Sequence, residues 1–470
     1  MKVVLVVLSG AVQPALDRVA ILYPQSAVEL ISRNEFETGS VMTRLGALRA
    51  LRPDVFAIAT ESLLWLRGQD LFMLFGAMAG AREVVVLDAH GRLRKSSRSS
   101  LILRVPLRLA REAARSANAM AHARHELARL EKEVENRNPP SRALLSDGQL
   151  RITYLRATPG PGTQAGGAAS HIKGVIEGLL ELGTEVQLIS NDELVGLDPA
   201  TIPLTKIGPK LLGSTRAVFD INNNAMFTRG SAALVQKSPP DFIYQRYARF
   251  SWAGVVASLV SARPLFLEYN GSEVWVGRHW DRVSNLDLLE RYERLNLAAA
   301  TRIFVVSEVD RRNLEQAGVA AEKIIVNSNG VDTEVFRPDV GGAEVRDELG
   351  LEDEEQLVGF VGSFGPWHGV MVLAEAIKRI PAALPLKFLL IGDGALQVEM
   401  KQMLSEETEQ GRVIFQGAVS HKEVPGLLDA CDILVSPHIP LAAGADFFGS
   451  PTKLFEYMAM GKGIVASRLG

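Results

Sequence analysis

The sequence is most informative at Phe448-Gly449-Ser450-Pro451-Thr452-Lys453-Leu454-Phe455-Glu456-Tyr457-Met458-Ala459-Met460-Gly461-Lys462. Ser450 is predicted to cap a helix with Pro451 at its first position, which leaves the N–H groups of Thr452 and Lys453 free to hold an anion. Further along this helix, the Glu456 carboxylate can accept hydrogen bonds from two ribose hydroxyls. A capping sequence alone explains residues 450–452, but it does not require Lys453 and Glu456 as well.

Short apolar stretches alternate with helical patterns before and after this segment. Such alternation is typical of parallel sheets covered by helices. Strands are predicted at residues 3–8, 28–32, 55–60 and 84–88, at 150–155, 185–189, 242–245, 264–269 and 302–306, and at 357–361, 386–391, 413–415, 433–436 and 464–466. The pattern predicts an α/β protein in which two doubly wound, Rossmann-like domains form a cleft, with a further α/β domain before them.

The domain boundaries follow from interruptions of this pattern. The predicted units are an N-terminal domain at 1–135, a linker at 136–149, a first Rossmann-like domain at 150–340 and a second at 341–470. Pro139-Pro140 marks the linker, and Pro338, Gly341 and Gly342 mark a hinge between the last two domains.

Composition excludes several classes of protein. Lys and Arg total 51 and Asp and Glu total 54, so the formal net charge is −3, which argues against a nucleic-acid partner. Cys431 is the single cysteine, which excludes an internal disulfide and favours the cytoplasm. Residues 1–8 are predicted to form a buried strand rather than a signal peptide. No run of about 18 apolar residues is present to span a bilayer.

A basic helical pattern follows residue 98. Arg104, Arg108, Arg111 and Arg115 recur at helical spacing and line one face. A basic amphipathic helix can lie on anionic lipid, but the same pattern also suits a solvated face of a helix that closes a domain. The sequence leaves both interpretations open, so peripheral contact with the inner face of the membrane is a hypothesis.

Glycine-rich loops follow the first strand of each Rossmann-like domain. One ends at Gly166-Gly167 and precedes His171, and the other runs from Gly362 through Ser363 and His368 to Gly369. A glycine-rich turn before a helix exposes N–H groups and the positive end of the helix dipole, which suits phosphate or a polar substrate. Plain turn chemistry explains these loops equally well, and His171 and His368 can also be packed residues.

Other candidates lie at strand ends, where open α/β sheets bind ligands. Gly392-Asp393-Gly394 and Val419 follow two strands of the last domain, and Glu268 and Asn270 end a strand of the preceding one. Glu268 or Asn270 can orient a substrate, and the loop with His279 and Trp280 can cover the cleft. Each of these is also compatible with a turn.

From residue 149 to 470 the sequence resembles the retaining glycosyltransferases of family 4, which have the two-Rossmann GT-B fold. The matching marks are Gly166-Gly167 with His171, Asn329-Gly330-Val331-Asp332, the 362–369 loop, Gly392-Asp393-Gly394 and residues 450–461. The resemblance implies a nucleotide-sugar donor in the C-terminal half of the cleft and a glycan or lipid-linked acceptor in the N-terminal half. It implies neither a cofactor nor a metal, and no Asp-x-Asp triplet occurs in the sequence.

The resemblance also assigns roles to residues. Glu456 matches the second acid of the family's Glu-x7-Glu motif, which holds the donor ribose, and Val419 lies where the family's backbone meets the base. The expected donor-binding set is Gly166, Gly167, Ser363, His368, Gly369, Gly392, Val419, Ser450, Pro451, Thr452, Lys453, Leu454 and Glu456. The expected catalytic residues are His171, Glu268 and Asn270.

The sequence departs from the family at three places. Phe448 stands where the first acid of the motif is expected, and Ser363 and His368 replace the cationic pair that often contacts the diphosphate. The sequence stops at Gly470 just after a strand, whereas the family continues, so a fragment is expected. The predicted function is transfer of a sugar with retention of anomeric configuration. A sugar-nucleotide epimerase of the same fold and a non-catalytic nucleotide-sugar-binding subunit are the alternatives.

Overall fold

The computed structural model describes residues 1–10, 12–137, 149–158, 167–194, 197, 202–209, 215–440 and 446–469. Three sheets, mainly of parallel strands joined by helices, organise these residues, as the alternating pattern predicted. Among the described helices, none combines the length and the apolar character that crossing a membrane requires.

The first sheet belongs to the N-terminal domain. The elements of this domain are β1 (Lys2–Val7), α1 (Val12–Leu22), β2 (Ala27–Ile31), α2 (Arg33–Glu37), α3 (Val41–Ala50), β3 (Val55–Thr60), α4 (Gln69–Met78), β4 (Glu83–Asp88) and β5 (Leu93–Ser97). The strand order in the sheet is β2-β1-β3-β4-β5. Strand β5 is antiparallel to β4 and was not predicted, because its basic side chains hide the apolar signal of a strand.

The long helix α5 (Arg98–Glu135) links the first sheet to the second. Its 38 residues correspond to a length of about 57 Å. Leu101 and Val105 pack in the core of the N-terminal domain, whereas Leu127 and Leu130 pack in the core of the next domain. The whole helix was predicted to belong to the N-terminal domain, but its packing shows that two domains share it.

Polar contacts fix the second half of α5 on the second domain. The Arg291 guanidinium donates to the two carboxylate oxygens of Glu131 at 3.0 and 2.6 Å. The buried Tyr292 hydroxyl donates to the carbonyl of Ala123 at 3.2 Å, and its ring stacks on Trp252. The hydrogen bonds to Glu131 and Ala123 join residues that are more than a hundred positions apart in the sequence, so they hold the second half of the helix against the second domain.

The second sheet has seven parallel strands in the order β12-β11-β10-β9-β6-β7-β8. Its elements are β6 (Arg151–Arg156), α6 (Gly167–Glu181), β7 (Glu185–Ser190), β8 (Leu204–Lys206), α7 (Arg216–Lys237), β9 (Phe242–Arg246), α8 (Ala253–Ser261), β10 (Leu265–Tyr269), α9 (Glu273–His279), α10 (Leu286–Ala299), β11 (Arg302–Val305), α11 (Glu308–Gln316) and β12 (Ile324–Val326). The strand order reverses between β6 and β9, which is where such sheets bind ligands.

The third sheet has five parallel strands in the order β15-β14-β13-β16-β17. Its elements are α12 (Gly342–Glu348), β13 (Gln356–Val361), α13 (Val370–Arg379), β14 (Leu386–Ile391), α14 (Gln397–Met403), α15 (Ser405–Glu409), β15 (Val413–Gly417), α16 (Val424–Asp429), β16 (Ile433–Ser436), α17 (Thr452–Ala459) and β17 (Gly463–Ala466). Here the strand order reverses between β13 and β16, and the edge strand β17 is exposed.

The shared helix leads to a stability prediction. Leu127→Ala should lower the free energy of unfolding by about 2–5 kcal/mol, because Leu127 is fully buried in the second domain's core. Leu103→Ala, the same change on the same helix, should have an effect within about 0.5 kcal/mol, because Leu103 is 80% exposed. Urea unfolding followed by circular dichroism measures both. Equal effects would mean that the second half of α5 is not part of that core.

Candidate active site

The two Rossmann-like domains meet beside their switch points. Helix α17 of the third domain packs against α6 of the second. The Asn329 backbone N–H donates to the Ser450 hydroxyl at 3.1 Å, and the Ser307 hydroxyl donates to the Phe448 carbonyl at 2.8 Å. The ends of the strands in both domains therefore border one cleft.

The start of α17 differs from the prediction by one residue. Pro451 is the N-cap, and Thr452 is the first helical residue, instead of Ser450 and Pro451. The Ser450 hydroxyl is engaged by Asn329, so its side chain joins the domains rather than capping the helix. The N–H groups of Thr452 and Lys453 still belong to the first turn, which has no helical acceptors for them.

Lys453 turns from this first turn into the protein. It is 7% exposed, and its Nζ lies 4.4 Å from the centre of the Phe360 ring. Gly362 makes room for it, because a Cβ there would lie 2.5 Å from Nζ. Nζ has no hydrogen-bond partner among the described residues. Burial lowers the pKa of Lys453 to about 7, against the opposing charge of Glu456. A buried ammonium in this state is suited to receive an anion.

Two histidines lie beside Lys453. The Nδ1 of His368 is 2.5 Å from the Ser363 carbonyl oxygen, and its ring meets that of His438 edge to face at 5.1 Å. Burial, followed by the charge of Lys453, lowers the pKa of His368 to about 4 and that of His438 to about 3. Both rings are therefore neutral near pH 7. His438 was not identified from the sequence, although its position just after β16 was a usable signal.

The glycines of the third domain allow close approach of backbones. Gly362 donates its N–H to the Ile391 carbonyl at 3.0 Å, and Gly392 donates to the Gly417 carbonyl at 2.8 Å. A Cβ on Gly392 would lie 2.0 Å from the Gly362 carbonyl oxygen. Likewise, a Cβ on Gly369 would lie 1.7 Å from the Pro437 carbonyl oxygen. These two glycines therefore hold the loops together, whether or not they also contact a ligand.

The remaining predicted donor residues lie at the same end of the third sheet. Val419 and Leu454 are half-buried and pack against one apolar core. The Glu456 carboxylate lies 3.9 Å from His421 Nε2. The structure therefore brings together Lys453, Glu456 and Val419, which come from two separate parts of the sequence. Gly167 begins α6, and Gly166 lies outside the described residues.

Across the cleft, the predicted catalytic residues form one buried network around Glu268. The Asn270 amide donates to Glu268 Oε1 at 2.7 Å, and His171 Nε2 lies 3.0 Å from the same oxygen. Arg246 forms an ion pair with it as well, and Tyr154 donates to the other oxygen at 3.4 Å. Burial opposes ionisation, but the Arg246 charge and these hydrogen bonds outweigh it and lower the pKa of Glu268 to about 2.

The network around Glu268 changes the roles that were expected for the three predicted catalytic residues. Glu268 is 2% exposed and ionised, so it is an anchor beneath the cleft rather than a group at its surface. His171 and Asn270 are only partly buried, and Glu268 fixes the orientation of both side chains. Arg246, which supplies the compensating charge, was not identified from the sequence, because an arginine at the end of a strand carries no distinctive motif.

Aromatic rings connect the two sides of the cleft. Phe448 packs edge to face on Trp275 at 5.4 Å and fills the space over Gly271, where a Cβ would lie 2.5 Å from the ring. Trp280 stacks on Trp367 of the third domain at 5.3 Å. The loop with Trp280 therefore covers the cleft, and Phe448 has a packing role at the position where an acid was expected.

The arrangement of the second and third sheets is that of the GT-B fold, as predicted. A crystal structure of Anabaena Alr3699/HepE in complex with UDP and glucose matches with a TM-score of 0.53 and 20% identity, over 68% of this chain and 82% of that one. WaaG, described as a glycosyltransferase involved in lipopolysaccharide biosynthesis, matches with a TM-score of 0.51 and 15% identity, over 68% and 81%. At these identities the likeness concerns the fold alone.

Two domain families match the chain itself. Residues 165–335 match Glycosyltransferase Family 4, and residues 355–470 match Glycosyl transferases group 1. These matches cover both sides of the cleft and agree with the glycosyltransferase class predicted from the motifs. They leave out the N-terminal domain and the whole of α5.

Curated relatives are distant. The 2-deoxystreptamine glucosyltransferase of Streptomyces kanamyceticus is 27% identical over 217 residues, 44% of this chain and 56% of that protein. The UDP-Gal:alpha-D-GlcNAc-diphosphoundecaprenol alpha-1,3-galactosyltransferase of Escherichia coli is 26% identical over 190 residues, 38% of this chain and 46% of that protein. The chain thus spans about half the length of these relatives.

The Gly369 contact can be tested against a matched glycine. Gly369→Ala should destabilise the third domain by at least ~3 kcal/mol more than Gly411→Ala. Both glycines have a positive φ, +66° and +69°, so both substitutions strain the backbone, but a Cβ on Gly411 meets nothing within 4 Å. Chemical unfolding of the two variants measures the difference, and similar losses would contradict the close approach of Gly369 to Pro437.

Proposed function

We propose that the protein is a glycosyltransferase that moves a sugar from a nucleotide-sugar donor to a glycan or lipid-linked acceptor, with retention of anomeric configuration. The observation that carries the proposal is Lys453, a buried cation at the start of α17 whose Nζ has no hydrogen-bond partner within the described segments, in a domain that matches glycosyltransferases. The solved structures with this fold include complexes with UDP and with UDP-glucose, so these are the first ligands to try.

The donor is proposed to lie against the third domain. Lys453 and the N–H groups of the first turn of α17 would bind its diphosphate, because a charge-assisted hydrogen bond is most favourable where water is excluded. The neutral His368 would add a hydrogen bond rather than a charge. Glu456 would accept from the ribose hydroxyls, and Val419 would border the base. The charge of Glu456 acts on Lys453, and Val419 packs against the same core as Leu454 of this helix, which supports the assignment.

The acceptor is proposed to lie against the second domain, beside His171 and Asn270. Glu268 would act as a positioning residue, since its carboxylate is committed to Arg246 and to these two side chains. A carboxylate so engaged is a poor nucleophile, which supports a mechanism without a covalent sugar–protein intermediate. The departing diphosphate would take the acceptor proton on the same face of the sugar, and Lys453 would stabilise its growing charge.

The affinity for UDP should depend on pH through Lys453. Above about pH 7 the ammonium of the free protein loses its proton, while the diphosphate, whose last pKa is near 6, stays fully charged. Binding must then take up a proton, so affinity should fall by up to about tenfold per pH unit from pH 7 towards pH 9. Calorimetry in buffers of different ionisation enthalpy measures both the affinity and the proton uptake.

Lys453→Met provides the decisive comparison for this titration. The variant should bind UDP more weakly at pH 7 and lose the pH dependence, whereas both proteins should bind uridine equally. Lys378→Met, at an exposed lysine of α13, is the matched control and should behave as the wild type. A pH dependence that survives in Lys453→Met would assign the titration to another group and remove Lys453 from the diphosphate site.

Sugar transfer itself is tested with a panel of nucleotide sugars and acceptors, using mass spectrometry of the products. Nuclear magnetic resonance of the product should report the anomeric configuration of the donor. His171→Ala should lower kcat on the order of 100-fold with unchanged UDP affinity, because it removes a group from the acceptor side only. His122→Ala, at an exposed histidine of α5, is the control.

Each alternative function has its own outcome in this assay. Donor consumption without an acceptor product, with release of free nucleoside diphosphate, would favour the epimerase. Tight UDP binding without turnover of any donor would favour the non-catalytic subunit.

A further inference from the structure

The first half of α5 presents an apolar face to solvent. Leu103, Leu107, Ala110, Ala114, Ala117 and Ala121 share this face, at intervals of three and four residues, and all six are exposed. Leu103 is 80% exposed and Leu107 is 56% exposed, which is unusual for leucines on a helix that buries Leu101 and Val105 on its other side. The helix is therefore apolar on two faces, and only one of them is used within the domain.

Arginines flank this apolar face. Arg104, Arg111 and Arg115 are exposed along one side of it. Arg108 differs, because its guanidinium lies 3.4 Å from Asp70 and it is turned towards α4. From residue 98 to 121 the helix holds five arginines and one acid, Glu112. The exposed apolar face is thus bordered by an excess of positive charge.

We propose that this face of α5 docks on an anionic lipid bilayer, with Leu103 and Leu107 inserted below the headgroups and Arg104, Arg111 and Arg115 among the lipid phosphates. An interfacial helix combines these features: an apolar face, a basic border and a low overall hydropathy. The single sign of the charge favours lipid over a second copy of this chain, since two copies of this face would bring arginines together. The set of residues differs from the four arginines of the sequence pattern, because it excludes Arg108 and adds the leucines.

Docking of α5 would also orient the second domain. The second half of the same helix is held on that domain by the Glu131–Arg291 pair and by Leu127 and Leu130. A rigid helix that touches the bilayer at one end and the second domain at the other keeps that domain close to the membrane surface. A lipid-linked acceptor would be presented to the second domain in this orientation.

Flotation of the whole chain with vesicles tests the proposal. The wild type should float with phosphatidylcholine vesicles that contain phosphatidylglycerol, but not with phosphatidylcholine alone, and high salt should release it. Arg104→Gln, Arg111→Gln and Arg115→Gln combined should weaken vesicle binding on the order of 100-fold, from about 1 kcal/mol for each charge. Leu103→Glu with Leu107→Glu should abolish binding.

Matched controls exclude general effects of charge and apolar surface. Arg82→Gln, Arg311→Gln and Arg379→Gln combined remove three surface arginines elsewhere, and Ile21→Glu alters another exposed apolar side chain. Both controls should float as the wild type does. Thermal unfolding should be the same for all variants, because every altered side chain is on the surface.

Two results would overturn the proposal. One is equal flotation of the wild type and the Leu103→Glu, Leu107→Glu variant. The other is a wild-type dimer that this variant converts to a monomer in analytical ultracentrifugation, which would assign the face to a second copy of the chain. The flotation assay contains no sugar donor. A negative result would therefore not contradict the proposed transfer reaction, and absence of that reaction would not contradict docking of α5 on a membrane.

Discussion

The Lys453 side chain is buried with no hydrogen-bond partner for Nζ in the part of the chain that the structure describes, and the proposed donor site is organised around this cation. Opposite it, the buried Glu268 carboxylate forms an ion pair with Arg246 and accepts a hydrogen bond from Asn270, which lower its pKa to about 2 and keep it ionised. The side of the cleft that contains Lys453 therefore favours binding of an anion, whereas the opposite side already contains the Glu268 carboxylate. This asymmetry agrees with the proposed arrangement, in which the charged donor binds on the side of Lys453 and the hydroxyls of the acceptor bind on the side of His171 and Asn270.

The geometry that sustains this asymmetry comes from backbones in close contact. Gly362 leaves the space in which Lys453 Nζ lies, and Gly392 lets the next loop touch Gly362. Gly369 lets the loop before α13 touch the segment after β16. At Gly369 and Gly392 an added Cβ would meet main-chain atoms, so no repacking of side chains can relieve it. The loops that surround the buried cation are therefore fixed by the fold of the third sheet, and not by a ligand.

Much of the architecture was predictable because parallel strands read as apolar runs with helical patterns between them. The α/β class, the two doubly wound sheets and the start of α17 to within one residue follow from such local signals. What could not be predicted depends on partners distant in sequence. Arg246 has no motif, His438 becomes notable only when His368 lies against it, and the burial of Glu268 requires four elements to converge. The division of α5 between two domains could not be predicted from the local sequence either, since both halves have the same helical periodicity.

The sharing of α5 limits how this chain can be rearranged in evolution or in the laboratory. A break at residues 136–149 looks natural from composition, yet it would remove the helix from the second domain and leave Trp252, Tyr292 and their neighbours without a cover. A chimera with a different N-terminal domain must therefore keep the second half of α5 with the second domain. The helix of the new domain must then be fused to that half in register. A junction between Arg115 and Met120, within the helix, keeps both cores intact, whereas a junction in the linker separates the second domain's core from the half of α5 that packs in it.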